Sequence, residues 1–216
     1  FTFTVQFDPH LDERTDEDAY KLSLLNMLND KPDFIIDVGD NFFVDKLGME
    51  ASRAGVEGRV QLQRSYFDLL THSATMFLGL GNHEGEKGPA SITNIGIMNA
   101  LERKRYFPNP YPNSFYTGSS RNEEIVGVRE ANYAWQWGDA LFIMLDPYWN
   151  KPVAPEMAGD WSLTLGKEQY DWLRKTLETS KAKYKFVFAH NLIGGLNMDG
   201  AMRGGIEAAK YLEWGG

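Results

Sequence analysis

Three short apolar runs, residues 1–7, 34–38 and 76–80, each end in polar residues, and two stretches with helical spacing separate them. Strand, helix, strand, helix, strand within the first 84 residues is the order of a parallel sheet. Parallel neighbours cannot be joined by a tight hairpin and need a crossover, which a helix usually supplies. The expected class is therefore α/β, with a largely parallel-cored sheet or sheets flanked by helices. Ligands of such sheets bind beyond the carboxyl ends of the strands. The chemistry is to be sought where these three runs stop.

The first run, FTFTV onward, ends at Asp8-Pro9-His10, because proline cannot continue a ladder. Thr15 or Asp16 then caps a helix with Tyr20, Leu24, Leu25 and Leu28 at helical spacing, closed by Lys31-Pro32. Residues 56–70 have the spacing of a second helix. From 85 to about 131 the pattern weakens, with Pro108, Pro110 and Pro112 among aromatics, and this stretch reads as an irregular insertion. Residues 133–137 and 140–145 read as a hairpin about Gly138-Asp139. A helix over 167–179 and a strand over 186–189 ending at His190 complete the pattern.

The polar residues at the strand ends are Asp8 with His10, Asp40 with Asn41, Asn82 with His83 and Glu84, and His190, so three of the four histidines directly follow expected strands. Two carboxylates, three imidazoles and an amide on one sheet edge carry a like-charge and desolvation penalty that a bound cation offsets. With no cysteine, any metal is held by oxygen and imidazole. Mixed carboxylate and imidazole donors suit zinc, manganese or iron, whereas a calcium cage is nearly all oxygen. Asp40 lies between the other ligands in chain order and follows a glycine that lets the backbone turn sharply, which makes it the natural bridge between two ions.

In this order DPH, GDN, GNHE and a later strand-terminal His resemble the calcineurin-like metallophosphoesterases, from residue 3 to residue 190. The resemblance implies one metallophosphoesterase domain over 1–216 with two divalent or transition metal ions, manganese, iron or zinc. Asp8 and His10 would hold one ion, Asp40 would bridge, and Asn82 and His190 would hold the second. His83 would stay off the metals and protonate the leaving oxygen or stabilise the phosphoryl charge, with Glu84 orienting it. The reaction implied is hydrolysis of a small phosphate ester by a metal-bound hydroxide. Asn41 contacts phosphate or serves only as a turn residue.

Two departures from the family pattern stand out. The GHxH element, which supplies a ligand to each metal, has no match, since no His follows His190; the expectation is that this segment lies further along a longer chain. GDNFF resembles the GDNFY of the purple acid phosphatase branch, but Phe43 cannot ligate iron as that branch's tyrosine does. A catalytically weak or inactive binding or scaffold protein of the same fold is the alternative.

Other residues carry less. His72 reads as a helix cap or surface residue, residues 106–116 as turn packing or a pocket wall, and Asp146 as a group behind the metal ligands. Arg203, in the glycine-rich segment 194–205, could reach substrate phosphate. The net charge of -8 weighs against a nucleic-acid surface. The bias is local: residues 1–50 hold twelve Asp or Glu against four Lys or Arg. The longest apolar stretch, 140–145, is far short of the ~20 residues of a membrane span. A soluble chain is expected, and the start at Phe1 without Met reads as a processed end, as in a secreted or periplasmic protein that has lost a signal peptide.

Overall fold

A computed structural model describes residues 1–12, 14–84, 86, 94–149, 161 and 165–190. The first sheet is β1 (Phe3–Gln6), β2 (Phe34–Asp37) and β3 (Thr75–Leu78) in the order β1-β2-β3, all parallel. The register aligns Gln6, Asp37 and Leu78, so the three chains leave the sheet side by side. The crossovers are α1 (Glu17–Asn29) and α2 (Arg53–Thr71). Asp16 caps α1 by accepting from the Ala19 N–H at 3.0 Å, and Ser52 caps α2 by accepting from Gly55 at 3.1 Å. Alternation along β2 sends Ile35 towards Leu24, Tyr66 and Leu70 of the helices, while Phe34 and Ile36 face the other way.

That other face meets a second sheet. Its strands are β4 (Thr117–Gly118), β7 (Tyr133–Trp137), β8 (Ala140–Met144) and β9 (Tyr184–Phe188), in the order β4-β7-β8-β9. β5 (Asn122–Glu123) and β6 (Gly127–Val128) form a separate small ribbon. The expected hairpin is present, with β7 and β8 antiparallel and Gly138 turning at φ 59°. β9 then pairs parallel to β8 after the crossover α4 (Lys167–Thr179), which brings His190 to the edge where β8 ends at Met144. Between the sheets, Trp135 stacks on Phe77 at 3.9 Å, and Phe142 meets Phe34 edge-on at 5.1 Å. Such aromatic pairs add roughly 0.5–1.5 kcal/mol each beyond the area they bury. The outer face of the second sheet, Leu141, Ile143 and Leu145, packs against Trp172, Leu173 and Leu177 of α4. The described residues are thus mixed α/β, with two open sheets, the small β5-β6 ribbon and helices on both outer faces. No helix among the described residues is long and apolar enough to cross a membrane.

The stretch read as an irregular insertion instead contains α3 (Ile95–Tyr106), capped by Asn94. Its buried positions include Asn99, Glu102 and Arg103, so charged residues occupy the inner face and hide the periodicity. Arg103, fully buried, donates to both carboxylate oxygens of Glu86 at 2.8 and 3.2 Å, and Arg129 links the same Glu86 to Asp146. Burial raises Glu86, but the two guanidiniums outweigh it and hold its carboxyl below the usual range. Tyr106 and Phe107 pack against the α2 cluster, and Asn109 bonds the free edge of β3 through the Leu78 N–H and C=O, so residues 106–109 serve packing. His72 caps the carboxyl end of α2.

Candidate metal centre

The three parallel strands deliver their following residues to one edge, and the loops there are tied together by the backbone. The Asp8 N–H donates to the Gly39 carbonyl at 3.0 Å and the His10 N–H to the Asp40 carbonyl at 3.2 Å. Gly39 (φ 104°) lies so close to the third loop that a β-carbon there would meet the Gly81 nitrogen at 2.1 Å. A β-carbon on Gly81 would likewise meet Asp40 Oδ1 at 2.1 Å. Glycine in GD and in GN is therefore what lets the two loops touch. Asp8, His10, Asp40 and Phe43 are four of the seven non-glycine residues with positive φ among those described. Such conformations cost of order 1–3 kcal/mol and collect at functional sites.

Asp40 is the centre. It is 2 % exposed, and its Oδ2 lies 2.9 Å from His10 Nε2, 3.2 Å from His190 Nε2 and 3.9 Å from His83 Nε2. Its Oδ1 accepts from the His83 backbone N–H at 2.8 Å. Asp8 Oδ1 stands 3.2 Å from His10 Nε2 and 3.8 Å from His190 Nε2. Two groups of donors close enough to share an ion result: His10, Asp40 and His83, and Asp8, Asp40 and His190. Asp40 belongs to both. Burial alone would raise the Asp40 carboxyl, but hydrogen bonds from His190, the His83 backbone and His10 outweigh it and hold it at about 2. Burial lowers the His190 imidazole, and the Asp40 hydrogen bond with the neighbouring negative charges reverses this and raises it. His190 donates from Nδ1 to the Val38 carbonyl at 3.1 Å, which fixes the ring's orientation and leaves Nε2 facing Asp40 Oδ2. Asn82 opens the 3₁₀ turn Asn82–Glu84, half-buried, one residue before His83.

One sequence assignment changes. Glu84 does not orient His83: it is fully buried and its carboxylate accepts the backbone N–H groups of Gly81, Asp40, Asn41 and Phe42. The 3₁₀ turn points it inward, where it clamps the second and third loops together. The carboxylate that does meet His83 is Asp45, whose Oδ1 lies 2.8 Å from Nδ1. Asn41 is 1 % exposed and donates its amide to Asp37, which places it in the fold rather than at an open surface. Asp146 pairs with Arg129 and accepts from the Tyr148 N–H at 3.0 Å. Arg203 and the segment 194–205 lie outside the described residues.

Two expected results follow. Glu84→Gln presents one acceptor where the carboxylate presents two, so two buried N–H groups lose partners at roughly 1–3 kcal/mol each, about 2–6 kcal/mol in all. Urea unfolding reads this directly, and stability within ~0.5 kcal/mol of the parent would sink the clamp. The second concerns Asp37, fully buried, which accepts from Gln6 at 2.7 Å, Gly39 at 2.9 Å and Asn41. Burial outweighs these bonds and pushes its carboxyl up to about 7 from 3.8. The folded chain then holds a proton that the unfolded chain releases, so this contribution to stability is complete below pH 3.8 and is lost as the pH rises towards about 7. Unfolding of the parent and Asp37→Asn should diverge in that window, in favour of Asn, by about 1.4 kcal/mol per pH unit. A constant difference would mean that Asp37 ionises normally.

Comparison of the chain with protein-family models and with curated proteins gave no match.

Proposed function

We propose that the chain is a metal-dependent phosphoesterase that holds two divalent transition ions, manganese, iron or zinc, at the strand ends. The single observation that carries this reading is the buried Asp40 carboxylate, shared by two sets of donors whose other members are imidazoles and Asp8. A carboxylate at the common corner of two nitrogen- and oxygen-donor sets suits a bridged ion pair. The helix, sheet, sheet, helix packing accords with the layered fold that the motif resemblance implies. The motif resemblance would complete the two sites about Asp40 with Asp8 and His10 at one and Asn82 and His190 at the other, a pairing that differs from the donor sets formed by distance, which join His10 to His83 and Asp8 to His190.

When bound, such a pair supplies an activated water and positive charge against the phosphoryl oxygens. The chain's own contribution is to fix donors and move a proton. Asp45 holds His83 Nδ1, so Nε2 faces the Asp40 side, where a leaving oxygen would be within reach. The net charge of -8 favours a small ester over a polyanion.

The test is hydrolysis of p-nitrophenyl phosphate and bis(p-nitrophenyl) phosphate after chelator treatment and re-addition of Mn²⁺, Fe²⁺ or Zn²⁺. Activity should vanish with the chelator and return with at least one ion. Metal binding without turnover on either ester would instead support a binding or scaffold protein.

A further inference from the structure

Phe43 is 7 % exposed and adopts φ 52°, ψ 35°, a left-handed conformation that is an outlier for a bulky residue. Its neighbour Phe42 packs into the apolar cluster of Val44, Leu47, Val56 and Val60. The Phe43 ring instead lies 5.0 Å from the His10 ring and 4.4 Å from the His83 ring. The two imidazoles meet edge-on at 5.0 Å, so the three rings are in mutual contact. Immediately after Phe43 the backbone enters the 3₁₀ turn Val44–Lys46, anchored by Val44 at 1 % exposure, and this turn carries Asp45 to His83 Nδ1.

We propose that Phe43 is a positioning residue: its ring holds the imidazoles of His10 and His83 in fixed mutual orientation, and its left-handed kink returns Asp45 to His83. The inference rests on the phosphoesterase reading, in which His10 is a ligand and His83 a proton donor. A single hydrogen bond at Nδ1 leaves an imidazole free to swing about that contact. A ring packed tilted against it at 4.4 Å removes that freedom, and the same ring braces His10 at 5.0 Å. The strain of the left-handed residue is then the cost of placing an aromatic ring at that corner, where glycine would serve the turn alone.

The experiment compares Phe43→Tyr, which keeps the ring, Phe43→Met, which keeps apolar volume without it, and Phe43→Gly, which keeps the kink alone. The first readout is ¹³C relaxation of the His10 and His83 rings in metal-free protein, which needs neither ion nor substrate. Ring order parameters should stay high in the parent and in Phe43→Tyr and fall below ~0.6, the flexible range, in Phe43→Met and Phe43→Gly. The second is turnover of an alkyl phosphate, expected to fall by about 10- to 100-fold in kcat, with KM little changed, in the two ringless variants. Phe43→Gly tolerates the backbone conformation, so a folding failure of Phe43→Met leaves a variant to read. Unchanged ring order in the ringless variants would overturn the proposal. Failure of the parent to hydrolyse any ester would overturn the phosphoesterase reading while the ring measurement still decides Phe43.

Discussion

Asp40→Asn should cost the protein its metal and its turnover while leaving the metal-free chain folded. Asp40 is the only residue common to both donor sets among the described residues, and its carboxylate already faces His10, His190 and the His83 N–H from within a 2 % exposed position. Asparagine has nearly the same shape, so the Oδ1 contact with the His83 N–H can persist. What is lost is the negative charge, and with it an acceptor on the Oδ2 side. Loss of a mere outer partner of a metal ligand typically costs about 10- to 100-fold in metal affinity, so loss of the shared anionic ligand itself should exceed about 100-fold, with hydrolysis falling at least as far. Calorimetric titration with Mn²⁺ or Zn²⁺ reads the first, and phosphate release the second. Affinity within threefold of the parent would mean that Asp40 bridges nothing.

His83→Ala separates proton transfer from metal binding. The alanine keeps the backbone N–H that donates to Asp40 Oδ1, so the loop anchor survives, and the lost imidazole was held by Asp45 and by the Phe43 ring. A positioned general acid contributes roughly 10²- to 10⁴-fold. That whole factor should disappear from kcat on an alkyl phosphate, whose leaving group needs a proton. An aryl phosphate, whose leaving group departs unprotonated, should lose far less. Metal content should stay at the parent level. Equal losses on the two esters would assign His83 to charge stabilisation. Loss of metal would make it a ligand, which its place in one donor set with His10 and Asp40 allows geometrically.

What could be read in advance follows physical lines. The strand-end residues were legible because short apolar runs stop abruptly at polar ones, and the structure brings Asp8, His10, Asp40, His83 and His190 together at one edge. The hairpin was legible from Gly138, which supplies the positive φ. Helix α3 was not, because Glu102 and Arg103 sit on its inner face and are neutralised by partners distant in sequence. The division into two sheets was also hidden, since the period of a strand says which face is apolar but not which strand lies beside it. Asp45 carried no signal, being one acid among twelve in the first fifty residues. Glu84 misled because adjacency to His83 in sequence suggested contact, whereas the 3₁₀ turn sends its carboxylate to four backbone donors.

Anomalous diffraction from crystals soaked in Mn²⁺ or Zn²⁺, recorded at the metal's absorption edge, addresses the centre itself. The account predicts two peaks about 3.5–4 Å apart, one on each side of the Asp40 carboxylate. His10 and Asp8 should lie against one peak and His190 and Asn82 against the other. A lone peak away from Asp40, or none at saturating metal, would contradict it.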